Sequence, residues 1–256
     1  MNRKIVLALF CCGAYLMSNA QAQRAKPEDT EFYEPVPKVV TPGKTNSEAP
    51  SDAIVLFDGK NLDKWASSRD DSPAKWTVAD GVLTVKKGTG GIKTKESFTN
   101  YQLHIEWKIP TNITGSGQAR GNSGVFLAAL GKGDEGYELQ VLDNYNNKTY
   151  VNGQSGSIYK QLIPLANANK APGEWQTYDV AWTAPVFNED GSLKSPARVT
   201  VFFNGVLVQN SIELKGVTKY IGKPEYIKHG PAPIMLQDHG DPSPAISFRN
   251  IWIRPL

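Results

Sequence analysis

Glu138 and Gln140 stand two apart in Y-E-L-Q-V-L-D (137–143), and Arg120 and Asn122 stand two apart in R-G-N-S-G (120–124). Alternate side chains of a strand point to the same face, so each pair projects together. In the second segment Glu138, Gln140 and Leu142 share one face, and Tyr137, Leu139 and Val141 share the other. A carboxyl and a carboxamide in register, with a guanidinium and a carboxamide entering from the neighbouring strand, could hold a hydroxylated ligand and move a proton on it. As a permanent cation, Arg120 could also face developing negative charge.

Asp143 completes the spacing Glu-x-Gln-x-x-Asp. This is similar to the Glu-x-Asp-x-x-Glu strand of retaining β-glucanases, in which the first carboxylate is the nucleophile and the last the acid/base. Such enzymes hold two carboxyls about 5–5.5 Å apart. Here Gln140 replaces the helper aspartate, and the shorter Asp143 stands where the acid would be, at the start of a D-N-Y-N-N turn. Hydrolysis by Glu138 and Asp143 is therefore one reading. A solvated strand face is the plain alternative for any single glutamate.

A second cluster, Q-D-H-G-D-P (237–242), follows the apolar run Pro233–Leu236. His239 could shuttle a proton near neutral pH. Asp238 and Asp241 could orient it or, with Asp143, hold a divalent metal ion, although no His-x-x-x-His spacing requires one. Gln237 could orient a hydroxyl, and Lys160, after G-S-I-Y, could reach a ligand. His104, beside Glu106 on a polar strand face, reads as a satisfied surface histidine. Trp76, Trp107, Trp182 and Trp252 fit apolar patterns. Trp65 and Trp175 follow turns and could stack on a sugar face.

The elements that must position these residues are strands. Ile54–Phe57 ends at Asp58-Gly59. Trp76–Val78 and Val82–Val85 flank Asp80-Gly81, and Val199–Phe203 and Val206–Val208 flank Asn204-Gly205, both hairpin signals. Tyr101–Ile109 alternates strictly, Trp175–Trp182 is mixed, and Ile234–Leu236 and Ile246–Ile253 close the chain. Gln161–Lys170, interrupted by Pro164, reads as loop. About ten short strands and no amphipathic helix predict one all-β domain over 53–256, a two-sheet antiparallel sandwich.

The first residues read differently. Arg3 and Lys4 precede the apolar run Ile5–Met17, and Ala20-Gln21-Ala22 offers small residues to a signal peptidase. Residues 1–22 are expected to be a cleaved signal peptide and the protein periplasmic or secreted. A lipoprotein anchor on Cys11 or Cys12 would put Phe10 or Cys11 where a small residue is needed. Both cysteines lie in that segment, so the mature chain is expected to carry neither a disulfide nor a thiol. Its removal takes the net charge from +3 to +1. That is not the balance of a nucleic-acid binder, and no later apolar run is long enough to span a membrane. Residues 23–52 are rich in Pro, Lys, Glu, Thr and Ser and read as a linker, disordered or extended as an arm.

An ordered set of motifs then carries a resemblance: L-F-D-G-K-N-L-D-K-W (56–65), G-N-S-G-V-F-L (121–127), Y-E-L-Q-V-L-D (137–143), G-S-I-Y (156–159), G-E-W-Q-T-Y-D-V (173–180), V-F-F-N-G (201–205), P-I-M-L-Q-D-H-G (233–240) and F-R-N-I-W-I (248–253). The set resembles the 3-keto-disaccharide hydrolase family across 53–256. The resemblance implies a concanavalin A-like sandwich and a 3-keto-glycoside substrate made by a separate sugar 3-oxidoreductase. A ketone at C3 acidifies the C2 proton. Its loss lets the C1 oxygen leave by β-elimination, and water adds back. That path needs a base, an acid and a stabiliser for the enolate oxygen. On this reading Glu138 and His239 are base or acid, and Arg120 and Lys160 face the oxyanion. Asn122, Gln140 and Gln237 orient hydroxyls. The rival class is a lectin-like module that binds sugar without turning it over.

Overall fold

The computed structural model describes residues 25–256, so the expected signal peptide and both cysteines lie outside the described residues. The chain divides into two units, one ending at Val39 and the other spanning Val40–Leu256. Within the first, Pro27–Thr30 forms a single 3-10 turn in an exposed segment. All else below concerns the second.

Fifteen strands make up this unit: β1 (Ile54–Phe57), β2 (Trp65–Ser67), β3 (Thr77–Ala79), β4 (Val82–Thr84), β5 (Ile92–Thr94), β6 (Tyr101–Lys108), β7 (Ser123–Ala129), β8 (Gly136–Val141), β9 (Trp175–Thr183), β10 (Val186–Phe187), β11 (Leu193–Ser195), β12 (Arg198–Phe203), β13 (Val206–Glu213), β14 (Met235–Leu236) and β15 (Ser247–Pro255). No α-helix occurs among the described residues. The larger sheet runs β13-β12-β9-β6-β15-β4-β3, with β1 also paired to β15. The smaller runs β2-β5-β14-β7-β8, and β10 and β11 form a separate hairpin. All pairings are antiparallel. The architecture is the expected two-sheet antiparallel β-sandwich.

Local chemistry explains the turns. Asp80 and Gly81, and Asn204 and Gly205, all have positive φ, the combination a tight two-residue hairpin needs. Strand alternation explains the layers. Tyr101, Leu103, Ile105 and Trp107 of β6, and Val125, Leu127, Leu139 and Val141 of β7 and β8, meet in one core. Trp107 stacks on Phe203 at 5.7 Å and tilts against Tyr178 at 5.5 Å. Two tyrosines also tie the sheets together across the core. Tyr101 Oη donates to the Leu127 carbonyl at 2.5 Å and Tyr178 Oη to the Gln140 carbonyl at 2.7 Å. A buried hydroxyl must find an acceptor, so these bonds fix the height of β7 and β8 over the larger sheet.

Part of the segment read as a linker docks on that larger sheet. The Ser47 carbonyl accepts from Asn250 Nδ2 at 2.8 Å and Trp252 Nε1 at 2.9 Å, and Asp52 pairs with Arg254 at 2.8 Å. These groups lie against the sheet face opposite the core.

Candidate active site

The outer face of the smaller sheet carries the site. Its register lines up two rows across β14, β7 and β8. Met235, Phe126 and Glu138 form one row. Gln237, Gly124 and Gln140 form the next, with the Gln237 amide bonded to the Gly124 carbonyl at 3.0 Å. The glycine in the second row is required by the glutamate in the first. A Cβ on Gly124 would lie 2.6 Å from Glu138 Oε1. The carboxyl of Glu138 therefore folds over the glycine, into the gap between two glutamines.

A cleft of about 680 Å3 opens above these rows, within the ~300–1,000 Å3 usual for small-molecule sites. Glu138 is 6% exposed, and neither carboxyl oxygen has a hydrogen-bond partner among the described residues. Burial, with a smaller contribution from the nearby Asp134 carboxylate, pushes its pKa up to about 8. At neutral pH it is mostly a neutral acid. Gln140 Oε1 and Gln237 Oε1 are buried acceptors without partners among the described residues, while their nitrogens donate to Asn122 Oδ1 at 3.0 Å and Asp134 Oδ2 at 2.9 Å. Two such orphan oxygens beside a carboxyl are suited to ligand hydroxyls.

His239 enters from the loop after β14. Its Nδ1 lies 3.1 Å from Asp241 Oδ2 and 3.3 Å from the Asp241 amide nitrogen, and its Nε2 lies 3.4 Å from Asn122 Nδ2. In the tautomer that donates from Nδ1 to the carboxylate, Nε2 is the basic nitrogen. Burial alone would raise the Asp241 pKa. His239, Ser243 and the Lys87 ammonium at 3.2 Å outweigh it and hold the carboxyl at about 2. Asp241 is thus an ionised orienting partner. Lys87 also donates to the His239 carbonyl at 2.9 Å and so anchors the loop.

The third wall comes from a segment that adds to the free edge of β8. The Tyr159 amide donates to the Glu138 carbonyl at 3.1 Å, and the Gln140 amide to the Ser157 carbonyl at 3.0 Å. This places Tyr159 and Lys160 beside Glu138. Lys160 Nζ donates to the Tyr220 carbonyl at 2.6 Å and lies 4.1 Å from the centre of that ring, with the rings of Tyr150 and Tyr159 within 6 Å.

Seven of the twelve residues singled out in the sequence come together. Glu138, Gln140, Asn122, Gln237, His239, Asp241 and Lys160 line the cleft together. Arg120 does not line it. Its Nε is tied to Asp143 Oδ2 at 2.6 Å, and Asp143 is 1% exposed, with Oδ1 accepting from the Tyr145 amide. The expected Glu138–Asp143 carboxylate pair does not form in the cleft, because Asp143 is consumed by this ion pair at the ends of β7 and β8.

Asp238 likewise turns away, and its Oδ2 accepts from the Gly90 amide at 2.9 Å. With Asp143 on Arg120 and Asp241 on Lys87, the three aspartates do not form a metal set. No group of three His, Cys, Asp or Glu side chains suited to a metal occurs among the described residues. Trp65 is 1% exposed, with Nε1 donating to the Leu56 carbonyl, and belongs to the core rather than to a sugar platform. Trp175 lies on β9 of the other sheet, covered by the cations of Arg249 at 4.1 Å and Lys108 at 4.6 Å. Its face is used by the protein itself.

Gln118, Asp134, Tyr150, Tyr159, Thr218 and Tyr220 also line the cleft and were not singled out. Tyr159 closes the G-S-I-Y motif, which was a signal. Asp134 and Tyr220 come from loops without periodicity and carried none.

The two-sheet antiparallel sandwich thus carries a polar cleft that holds a buried acid and a histidine oriented by Asp241. The chain matches the 3-keto-alpha-glucoside-1,2-lyase-like domain over residues 52–254, and it belongs to that family. A curated relative, a 3-keto-disaccharide hydrolase of Bacteroides thetaiotaomicron, is 29% identical over 197 residues, a match that covers 64% of this chain and 64% of that protein's own length. A solved structure from Parabacteroides distasonis, described as a candidate glycosyl hydrolase, is 58% identical with a TM-score of 0.84 and covers 90% of this chain and 97% of that one. Another from the same organism and of the same description is 27% identical with a TM-score of 0.56, covering 80% and 99%.

Proposed function

We propose that this chain is a secreted or periplasmic carbohydrate-active enzyme that cleaves 3-keto-glycosides, 3-keto-disaccharides among them, by elimination and rehydration. One observation carries the reading. The same cleft holds a histidine oriented by an ionised Asp241 and a buried Glu138 that keeps its proton near neutral pH. These are a candidate base and an acid whose pKa burial has raised. The family's description as a 1,2-lyase supports an elimination across C1 and C2, and the relative's name supports the substrate class.

His239 Nε2 takes the C2 proton. The C–H electrons move into an enolate on O3. The enolate collapses to form the C1=C2 bond and expels the C1 oxygen, which takes the Glu138 proton. Water then adds at C1 and gives a proton to the Glu138 carboxylate, while His239 returns its proton to C2. The sum is hydrolysis. Of the two cations expected at the enolate oxygen, only Lys160 lines the cleft. Gln140 Oε1 and Gln237 Oε1 accept from ring hydroxyls. A separate sugar 3-oxidoreductase would supply the ketone.

The test is an aryl 3-keto-glucoside and the matching ordinary glucoside, each incubated with the protein in D2O. Release from the keto form alone, with deuterium at C2 of the freed sugar beyond a no-enzyme control, is expected. Comparable release from the ordinary glucoside would mean a conventional glycosidase. Binding of both without release would mean a lectin-like module.

A further inference from the structure

The cleft is lopsided. One side is polar, built from Gln118, Asn122, His239 and Asp241. The other is aromatic, built from Tyr150, Tyr159 and Tyr220 around the Lys160 ammonium. Exposure grows along the aromatic side from the half-buried Tyr159 through Tyr150 at 41% to Tyr220 at 71%. Val151 and Ile221, each following one of these tyrosines, are exposed as well. Exposed rings and aliphatic groups are placed here at the mouth of a polar cleft, not scattered singly over the surface.

The wall is also held firmly. Tyr150 and Tyr159 share a hydroxyl–hydroxyl bond of 2.6 Å. Lys160 sits at φ +57, its amide bonded to the Asn152 carbonyl at 2.7 Å and its Nζ to the Tyr220 carbonyl. The lysine thus ties the Tyr220 loop to the segment that pairs with β8. Its cation is attracted by the three ring faces around it.

Position gives the wall its meaning. The segment carrying Tyr159 is bonded directly to the Glu138 backbone. Tyr150, Tyr159 and Tyr220 line the same cleft as Glu138, so a group that takes the Glu138 proton can leave toward them. Resting on the proposed function, we infer that Tyr150, Tyr159 and Tyr220 form the subsite for the leaving group, and that it selects one presenting a flat C–H or aromatic face. Lys160 is a positioning residue for this wall. The ligand chemistry is shared by a second pyranose ring and by an aryl aglycone.

The experiment compares methyl, phenyl and glucosyl 3-keto-glucosides on the wild-type chain, Tyr220→Ala and Tyr220→Phe. The readout is the kcat/KM ratio of phenyl over methyl and of glucosyl over methyl. Loss of one stacking face is expected to lower a ratio roughly tenfold in Tyr220→Ala, with Tyr220→Phe restoring it. A fall confined to phenyl identifies an aryl group, one confined to glucosyl identifies a sugar, and a fall in both identifies the shared face. Both ratios unchanged would overturn the inference. If the wild-type chain turns over none of the three, the proposed chemistry fails. The wall is then read by calorimetry with the ordinary disaccharide, where Tyr220→Ala must weaken binding and an unchanged Kd overturns it.

Discussion

A glutamate and a histidine stand at the outer face of each sheet, the histidine of the smaller one entering from the loop after β14, and their surroundings differ in sign. On the larger sheet, His104 Nδ1 donates to Asp179 Oδ1 at 2.7 Å, and its ring stacks on Trp252 at 5.2 Å. Glu106 takes Arg249 Nε at 2.6 Å and Asn250 Nδ2 at 2.9 Å. Burial alone would lower the His104 pKa, but Asp179 and Glu106 hold it above its ordinary value. Burial alone would raise the Glu106 pKa, but His104, Asn250 and Arg249 bring it to about 2. On the smaller sheet Glu138 is as deeply buried yet has no counter-ion or donor among the described residues, and its pKa rises to about 8. The first cluster spends its charge on itself. The second keeps an acid unpaired, which a fold does not need and a catalyst does.

Linkage gives the two clusters opposite signs as well. Glu106 has a depressed folded pKa, so its contribution to stability is present above about pH 4.5 and lost as pH falls toward 2. Glu138 has a raised folded pKa, so stability drains as pH rises from about 4.5 to 8.

Removing each histidine is the harshest way to break the comparison. His239→Ala is expected to cut kcat/KM by ~10²–10⁴-fold, the usual worth of a positioned base, with thermal stability nearly intact. His104→Ala should do the reverse. It leaves Glu106 with one partner fewer in a buried site, at a cost of about 3 kcal/mol, with kcat/KM within about twofold. Thermal melts and initial rates on 3-keto-glucoside check both, and equal losses of activity would erase the distinction.

A smaller effect sharpens it. Gly124→Ala puts a methyl group against Glu138 Oε1 and should displace the carboxyl. Rates should fall on the order of tenfold, at a stability cost of overpacking near 1 kcal/mol. Wild-type rates would mean that Glu138 need not lie over the glycine.

Much of this contrast was legible in the sequence. Alternation over 101–109 and 137–142 assigned both outer faces, and Asp80-Gly81 and Asn204-Gly205 turn where their residues demand. Glu138, Gln140, Asn122 and His239 were drawn together from distant segments. The misplacements share one cause. Whether a charged or aromatic side chain is free depends on its neighbour in space. Nothing local says that Asp143 will take Arg120, that Leu56 will accept from Trp65, or that Arg249 and Lys108 will cover Trp175. His104 was correctly read as satisfied, though it is 1% exposed rather than superficial. The short strands β2, β5, β10 and β11 were missed because two or three residues carry no period.

The central claim is that one buried glutamate is neutral near pH 7 while its counterpart is ionised. Carbon-13 NMR titration of chain labelled at the glutamate carboxyl carbons tests this directly, with Glu138→Gln and Glu106→Gln used to assign the two signals. The account predicts a resonance titrating near pH 8 that vanishes in Glu138→Gln, and one still ionised at pH 4 that vanishes in Glu106→Gln. A Glu138 resonance titrating below pH 6 would contradict it.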